Sequence, residues 1–163
     1  MENSILLLLL LVPLIISLIN IFVPRIISKT LTFLGIAFNL VLIYLLYSTA
    51  VSDVMLFEET VFSVDQMGIF AITFLQILSF LILIFSLNGV DQDIEKRFFI
   101  LYPMTLAFCN GVVMSEHVFS FLIFWGLSGL TLYLFALLGK TLDSPKTAKK
   151  TFILIGGSDV FLI

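Results

Sequence analysis

Ile5-Leu-Leu-Leu-Leu-Leu-Leu-Val-Pro13-Leu-Ile-Ile-Ser-Leu-Ile-Asn20-Ile-Phe-Val23 runs for nineteen residues without a charge. A helix rises ~1.5 Å per residue, so about 20 residues cross the ~30 Å of hydrocarbon in a bilayer. The run is therefore predicted to be a membrane span. The residues before it, Met1-Glu2-Asn3-Ser4, carry an acid and no base, and no small-x-small cleavage site follows. That pattern marks a retained helix rather than a cleaved signal peptide.

Four further runs of similar length lie downstream, at 31–51, 67–87, 98–114 and 118–138, and a sixth begins at Thr151 and reaches Ile163. Thirteen helical residues extend only ~20 Å. The expectation is an all-α polytopic bundle, one transmembrane domain over 1–163 with spans at 5–23, 31–51, 67–87, 98–114 and 118–138 and a truncated sixth at 151–163. Carbonyls stopped in hydrocarbon need partners, so either the chain is the N-terminal part of a longer protein or another subunit covers that end. Composition agrees with the bundle. Of 163 residues 61% are hydrophobic and 12% charged, against about 45–50% and about 25% in soluble domains.

The connections alternate in charge. Arg25 and Lys29 lie in 24–30, Lys96 and Arg97 in 88–97, and Lys140, Lys146, Lys149 and Lys150 in 139–150. The connections between them, 52–66 and 115–117, hold Asp53, Glu58, Glu59, Asp65 and Glu116 and no Lys or Arg. Five spans place all eight basic residues on one side, which the positive-inside rule makes cytoplasmic and which puts the N-terminus outside. A prokaryotic inner membrane is the expected location. The basic residues form no broad stripe, so no nucleic-acid partner is expected. The single cysteine, Cys109, excludes an internal disulfide framework. Thr60-Val61-Phe62-Ser63-Val64 in the acidic connection has the pattern of a short strand. Pro13 and Pro103 lie inside spans, where a kink is tolerable.

Polar groups in hydrocarbon are costly and ask for a reason. Counted from the basic side at ~1.5 Å per residue, Asn39 and Asp159 lie ~12 Å in, Ser128 ~15 Å, Gln76 ~16 Å and Asn110 ~18 Å. One central band holds all five. Two readings apply: interhelical hydrogen bonding, worth ~0.6 kcal/mol per bond on average, or a hydrated relay for protons or cations. Asp159 favours the relay, because an ionisable acid at the midplane is functional by default; Lys150 is ~13 Å from it along the axis. Glu116 and His117, in the turn on the acidic side, are either solvated loop residues or a proton mouth, for which a histidine titrating near neutrality is suited. Gly156-Gly157 lets a neighbouring backbone approach beside Asp159.

Three segments carry a family likeness. Phe121-Leu-Ile-Phe-Trp125-Gly-Leu-Ser-Gly129-Leu-Thr-Leu-Tyr133-Leu precedes a basic loop and then Ala148-Lys-Lys150-Thr-Phe152-Ile-Leu-Ile-Gly-Gly157-Ser-Asp159-Val-Phe161. Upstream stands Phe62-Ser-Val-Asp65-Gln-Met-Gly68. In this order they resemble the third, fifth and sixth helices of the antiporter-like subunits shared by respiratory complex I, Mrp sodium/proton antiporters and membrane-bound hydrogenases. The resemblance covers the whole chain but only the N-terminal part of the family fold. It implies a proton or sodium pathway built from inverted five-helix repeats, in which Asp159 and Lys150 match the acid and lysine of the sixth helix. It also implies partners among other membrane subunits of a multisubunit complex, and no cofactor in this chain, since the family's redox groups lie elsewhere. One position departs: the family's glutamate after the fifth-helix tryptophan is Gly126 here. A non-pumping structural subunit is the alternative expectation, with close packing through Gly111 and Ser115 at i, i+4. An enzyme is the least expected class, because no metal-ligand cluster, phosphate loop or Ser-His-acid set is present.

Overall fold

A computed structural model describes residues 2–49, 52–56, 59–139 and 143–159, with the side chains of 2–4, 48–49, 52–60 and 158–159 set aside. In chain order the elements are α1 (Glu2–Phe22), α2 (Arg25–Thr49), β1 (Ser52–Leu56), β2 (Glu59–Val64), α3 (Gln66–Gly89), α4 (Gln92–Met114), α5 (Val118–Leu137) and α6 (Ser144–Asp159). The fold is an all-α helical bundle with one small hairpin. Five helices, α1 to α5, are long and apolar enough to cross a membrane, as the spacing of apolar runs requires.

Three helices begin well before the apolar runs that predict them, at Arg25, Gln92 and Ser144 rather than at 31, 98 and 151. The reason is that hydrogen-bond propagation does not stop where hydropathy does. A charged turn continues a helix readily once the apolar turns nucleate it. The first turn of α4, with Asp93 and Glu95, also places acids where the helix dipole favours them. The connections expected at 24–30 and 88–97 are therefore shorter, reduced to turns around Pro24 and Asp91, with Lys29 and Glu95 on helical backbone.

Helix α1 packs against α4 and α2, α2 against α3, α4 against α5, and α5 against α6. Gly35 of α2 receives the side chain of Ile16, and Gly111 of α4 lies under the ring of Phe124. Gly129 of α5 faces Ile155 of α6, where Tyr133 and Phe152 bring their rings to 5.1 Å. One apolar cluster joins Leu6, Leu9, Leu42, Leu46, Ile72 and Met114, and a second joins Ile36, Leu83, Phe99 and Leu106.

Strands β1 and β2 pair antiparallel from Ser52 opposite Val64 to Leu56 opposite Glu59. The strand expected at 60–64 lies within β2; β1 has no clear alternation and was not anticipated. The hairpin closes one end of the bundle. Phe62 and Val64 enter the first cluster, and the Glu116 N–H donates to Val61 O at 3.1 Å. Asp65 then caps α3, accepting from the Gly68 N–H at 2.7 Å, which satisfies one of the N–H groups left open at the helix start.

Polarity is inverted relative to a water-soluble domain. Phe22, Ile26, Met67 and Phe85 are each at least 80% exposed, whereas Asn20, Asn39, Gln76, Asn110 and Thr131 are wholly buried. Apolar surface faces outward where hydrocarbon receives it, and the polar side chains face inward, where Asn20, Gln76 and Asn110 find partners on other helices.

Candidate functional site

Buried polar groups occur on all six helices, and at the contact between α1 and α4 two prolines organise them. A proline has no N–H, so it leaves the carbonyl four residues earlier without a helical donor. Pro13 frees Leu9 O, and Pro103 frees Phe99 O. In the bundle the Asn110 amide donates to Leu9 O at 2.8 Å, and the Asn20 amide donates to Phe99 O at 2.7 Å. Each helix thus supplies the donor that the other helix lacks. Ser17 adds a bond to Ile100 O at 2.7 Å, and Asn20 also donates to Thr32 Oγ1 at 2.9 Å, which ties α2 to the pair.

At the end where the α1–α2 and α3–α4 turns meet, Lys29 of α2 forms an ion pair with Glu95 of α4. The Glu95 side chain is 9% exposed and that of Lys29 30%. Lys29 also donates to Leu87 O of α3 at 3.1 Å and lies 5.9 Å above the ring of Phe99. Arg25 donates to Gln92 O at 3.1 Å. One cation therefore joins three helices at the basic end. Thr32 is three residues beyond Lys29 and Phe99 four beyond Glu95, so the Asn20 bonds lie one turn deeper than the ion pair.

Deeper still, Gln76 of α3 donates to Asn110 Oδ1 at 2.9 Å. The rings of Phe33 and Phe80 meet at 5.6 Å, and Lys29 reaches Leu87, which together set the antiparallel register of α2 and α3. Counted along both helices from these two contacts, Asn39 comes level with Gln76. Both are fully buried, and neither amide atom of Asn39 nor Oε1 of Gln76 has a hydrogen-bond partner. The central band expected for Gln76, Asn110 and Asn39 is thus present as a level of the bundle. Asn110 is engaged by both of its amide groups, whereas Asn39 is not engaged at all.

The remaining expected site residues do not join this group. Ser128 is half-buried and its hydroxyl donates within its own helix, to Trp125 O at 2.7 Å. Glu116 is exposed and accepts from the Ser63 hydroxyl at 2.6 Å, a bond between the α4–α5 turn and β2. His117 is the residue before α5 and is partly buried there. Lys150 is exposed on α6. The backbone of Asp159 closes α6, and its side chain lies outside the described residues. A Cβ at Gly126, Gly156 or Gly157 would meet no atom within 4 Å, so those faces of α5 and α6 are open. The described residues contain no group of three or more His, Cys, Asp or Glu able to hold a metal.

Lys29 and Glu95 were not among the expected site residues. No spacing in the sequence marks that pair; what is visible beside it is Ser28, Thr32, Gly35 and Asn39 at three- and four-residue intervals, a small and polar stripe along one face of α2. Pro13–Asn20 and Pro103–Asn110 share the same spacing, which marks the reciprocal bonds. No protein-family model matches the chain, and no curated protein matches it.

Proposed function

We propose that the chain is a membrane subunit lining part of a proton or sodium pathway within a multisubunit complex of the complex I, hydrogenase or Mrp antiporter type. The basic end then faces the cytoplasm and the hairpin end faces outward, in a prokaryotic inner membrane. The observation that carries this reading is the level of Asn39 and Gln76. A buried amide with both polar atoms unsatisfied costs more than an apolar side chain of the same size. Open amide atoms at this level are available to a proton, a cation or water that passes through the interior. The likeness of Asp159 and its Gly-Gly neighbourhood to the family's sixth helix supports the same reading, as does an ion pair at the basic end of the same interior seam.

A structural, non-pumping role is the second reading, and a specific feature favours it. The family's fifth-helix glutamate is replaced by Gly126, and Asn110 spends its hydrogen bonds on holding helices together. The two readings separate by substitution in the assembled complex, with ion transport measured in membrane vesicles. A pathway subunit loses transport in Asp159→Asn and Asn39→Leu while assembly persists. A scaffold keeps transport in both, and that result would overturn the pathway reading.

A further inference from the structure

We propose that the slot between α4 and α5 at the basic end binds one anionic phospholipid, with its phosphate on Arg97 and an acyl chain between the helices. The slot has a volume of about 290 Å³ and is lined by Arg97, Ile100 and Leu101 of α4 and Leu134, Leu137 and Leu138 of α5. Residues 97, 100 and 101 follow one helical face, and 134, 137 and 138 follow the face opposite. The lining is therefore aliphatic except at its mouth, where Arg97 stands.

Depth fits the headgroup region. Arg97 is five residues, ~7.5 Å, into α4, and Leu137 closes α5 at the same end. Charge fits as well. Seven described Lys and Arg residues lie at this end against Asp91, Asp93, Glu95 and Asp143, a surplus of three positive charges. Arg25 is tied to Gln92 O, Lys29 to Glu95 and Lys146 to Asp143. No carboxylate pairs with the exposed Arg97 among the described residues. A guanidinium presents a planar fork to phosphate oxygens, and basic pockets between helices at a membrane surface recognise anionic headgroups. A helix, about 10–12 Å across with its side chains, is too wide for the slot. A single acyl chain is not.

The test uses the full-length chain purified in mild detergent and titrated with phosphatidylglycerol or phosphatidylcholine, binding being read by native mass spectrometry. One arginine at a membrane surface corresponds to a preference of about fivefold for the anionic lipid. Arg97→Gln is expected to abolish that preference, Arg97→Lys to keep part of it, and Lys149→Gln to leave it unchanged. Leu137→Trp, which fills the slot, is expected to weaken binding of both lipids. Equal binding of the two lipids by the native chain would overturn the proposal. So would a preference that survives Arg97→Gln or that falls in Lys149→Gln, and so would competition by soluble glycerol phosphate as strong as by the lipid, which would indicate a free-anion site.

Discussion

Asn20 and Asn110 are reciprocal across the α1–α4 contact: each donates to the carbonyl that the other helix's proline leaves without a donor, Phe99 O for Asn20 and Leu9 O for Asn110. In each helix the asparagine follows the proline by the same spacing, so the antiparallel pair is locked in a single register. A sliding of one residue would strand both carbonyls in an environment without water.

A double-mutant cycle tests this reciprocity. Asn110→Leu leaves Leu9 O without a donor and the Gln76 amide without its acceptor, and is expected to destabilise the chain by about 1–3 kcal/mol, of which only the Leu9 part can be restored from α1. Pro13→Ala restores the N–H that bonds the same carbonyl within α1. The double variant Pro13→Ala/Asn110→Leu is therefore expected to be more stable than the two single effects add up to, with a coupling of about 0.5–3 kcal/mol. Unfolding in mixed micelles measures it, and strict additivity would refute the exchange.

The Lys29–Glu95 pair makes a second prediction. Removing one partner of a fully buried pair costs about 3–5 kcal/mol; the 30% exposure of Lys29 lowers the expectation to about 2 kcal/mol for Glu95→Leu. Lys29→Met/Glu95→Leu removes both charges and is expected to recover most of that loss in the same unfolding assay. A double variant as unstable as the worse single one would show that the charges are not compensating each other.

Two glycines should respond in opposite directions. A Cβ at Gly111 would approach Phe124 Cδ1 to 2.5 Å, a ring that cannot fold away, so Gly111→Ala is expected to cost about 1–3 kcal/mol by overpacking. Gly126→Ala meets open space and is expected to gain about 0.5–1 kcal/mol from helix propensity. Thermal unfolding in detergent distinguishes them, and a loss at Gly126 comparable to that at Gly111 would mean that a neighbour occupies the open face.

Orientation is testable by thiol labelling in a Cys109→Ser background. With the hairpin end outside, Glu116→Cys reacts with a membrane-impermeant maleimide in intact cells. Asp91→Cys reacts only in inverted vesicles. The reverse pattern would place the basic end outside.

Much of the bundle was legible in the sequence because lipid imposes a simple code. Runs such as 5–23 and 67–87 must be helices, and the segregation of Arg25, Lys96 and Lys149 from Asp53 and Glu116 fixes the parity of the spans. Gln76 and Asn110 were placed at one level by counting rise per residue, and they bond. What counting could not supply was azimuth. Ser128 has a depth like that of Gln76 but points along α5, where its own helix satisfies it. Glu95 reads as a loop acid by hydropathy, yet its helix turns it inward onto Lys29. The proline–asparagine spacing was visible, but its meaning depends on which helices touch, and that is a property of packing.

The bonds that lock α1 to α4 join residues 79 and 101 positions apart in the chain. Synthesis from the N-terminus delivers α1 to the membrane long before its counterpart exists. Until the fourth span arrives the first has only α2 beside it, with Thr32 accepting from the Asn20 amide while Leu9 O still lacks its donor. Closure of this seam waits on the middle of the chain, and truncation before α4 would leave the first helix with α2 alone and its polar bonds to α4 unmade.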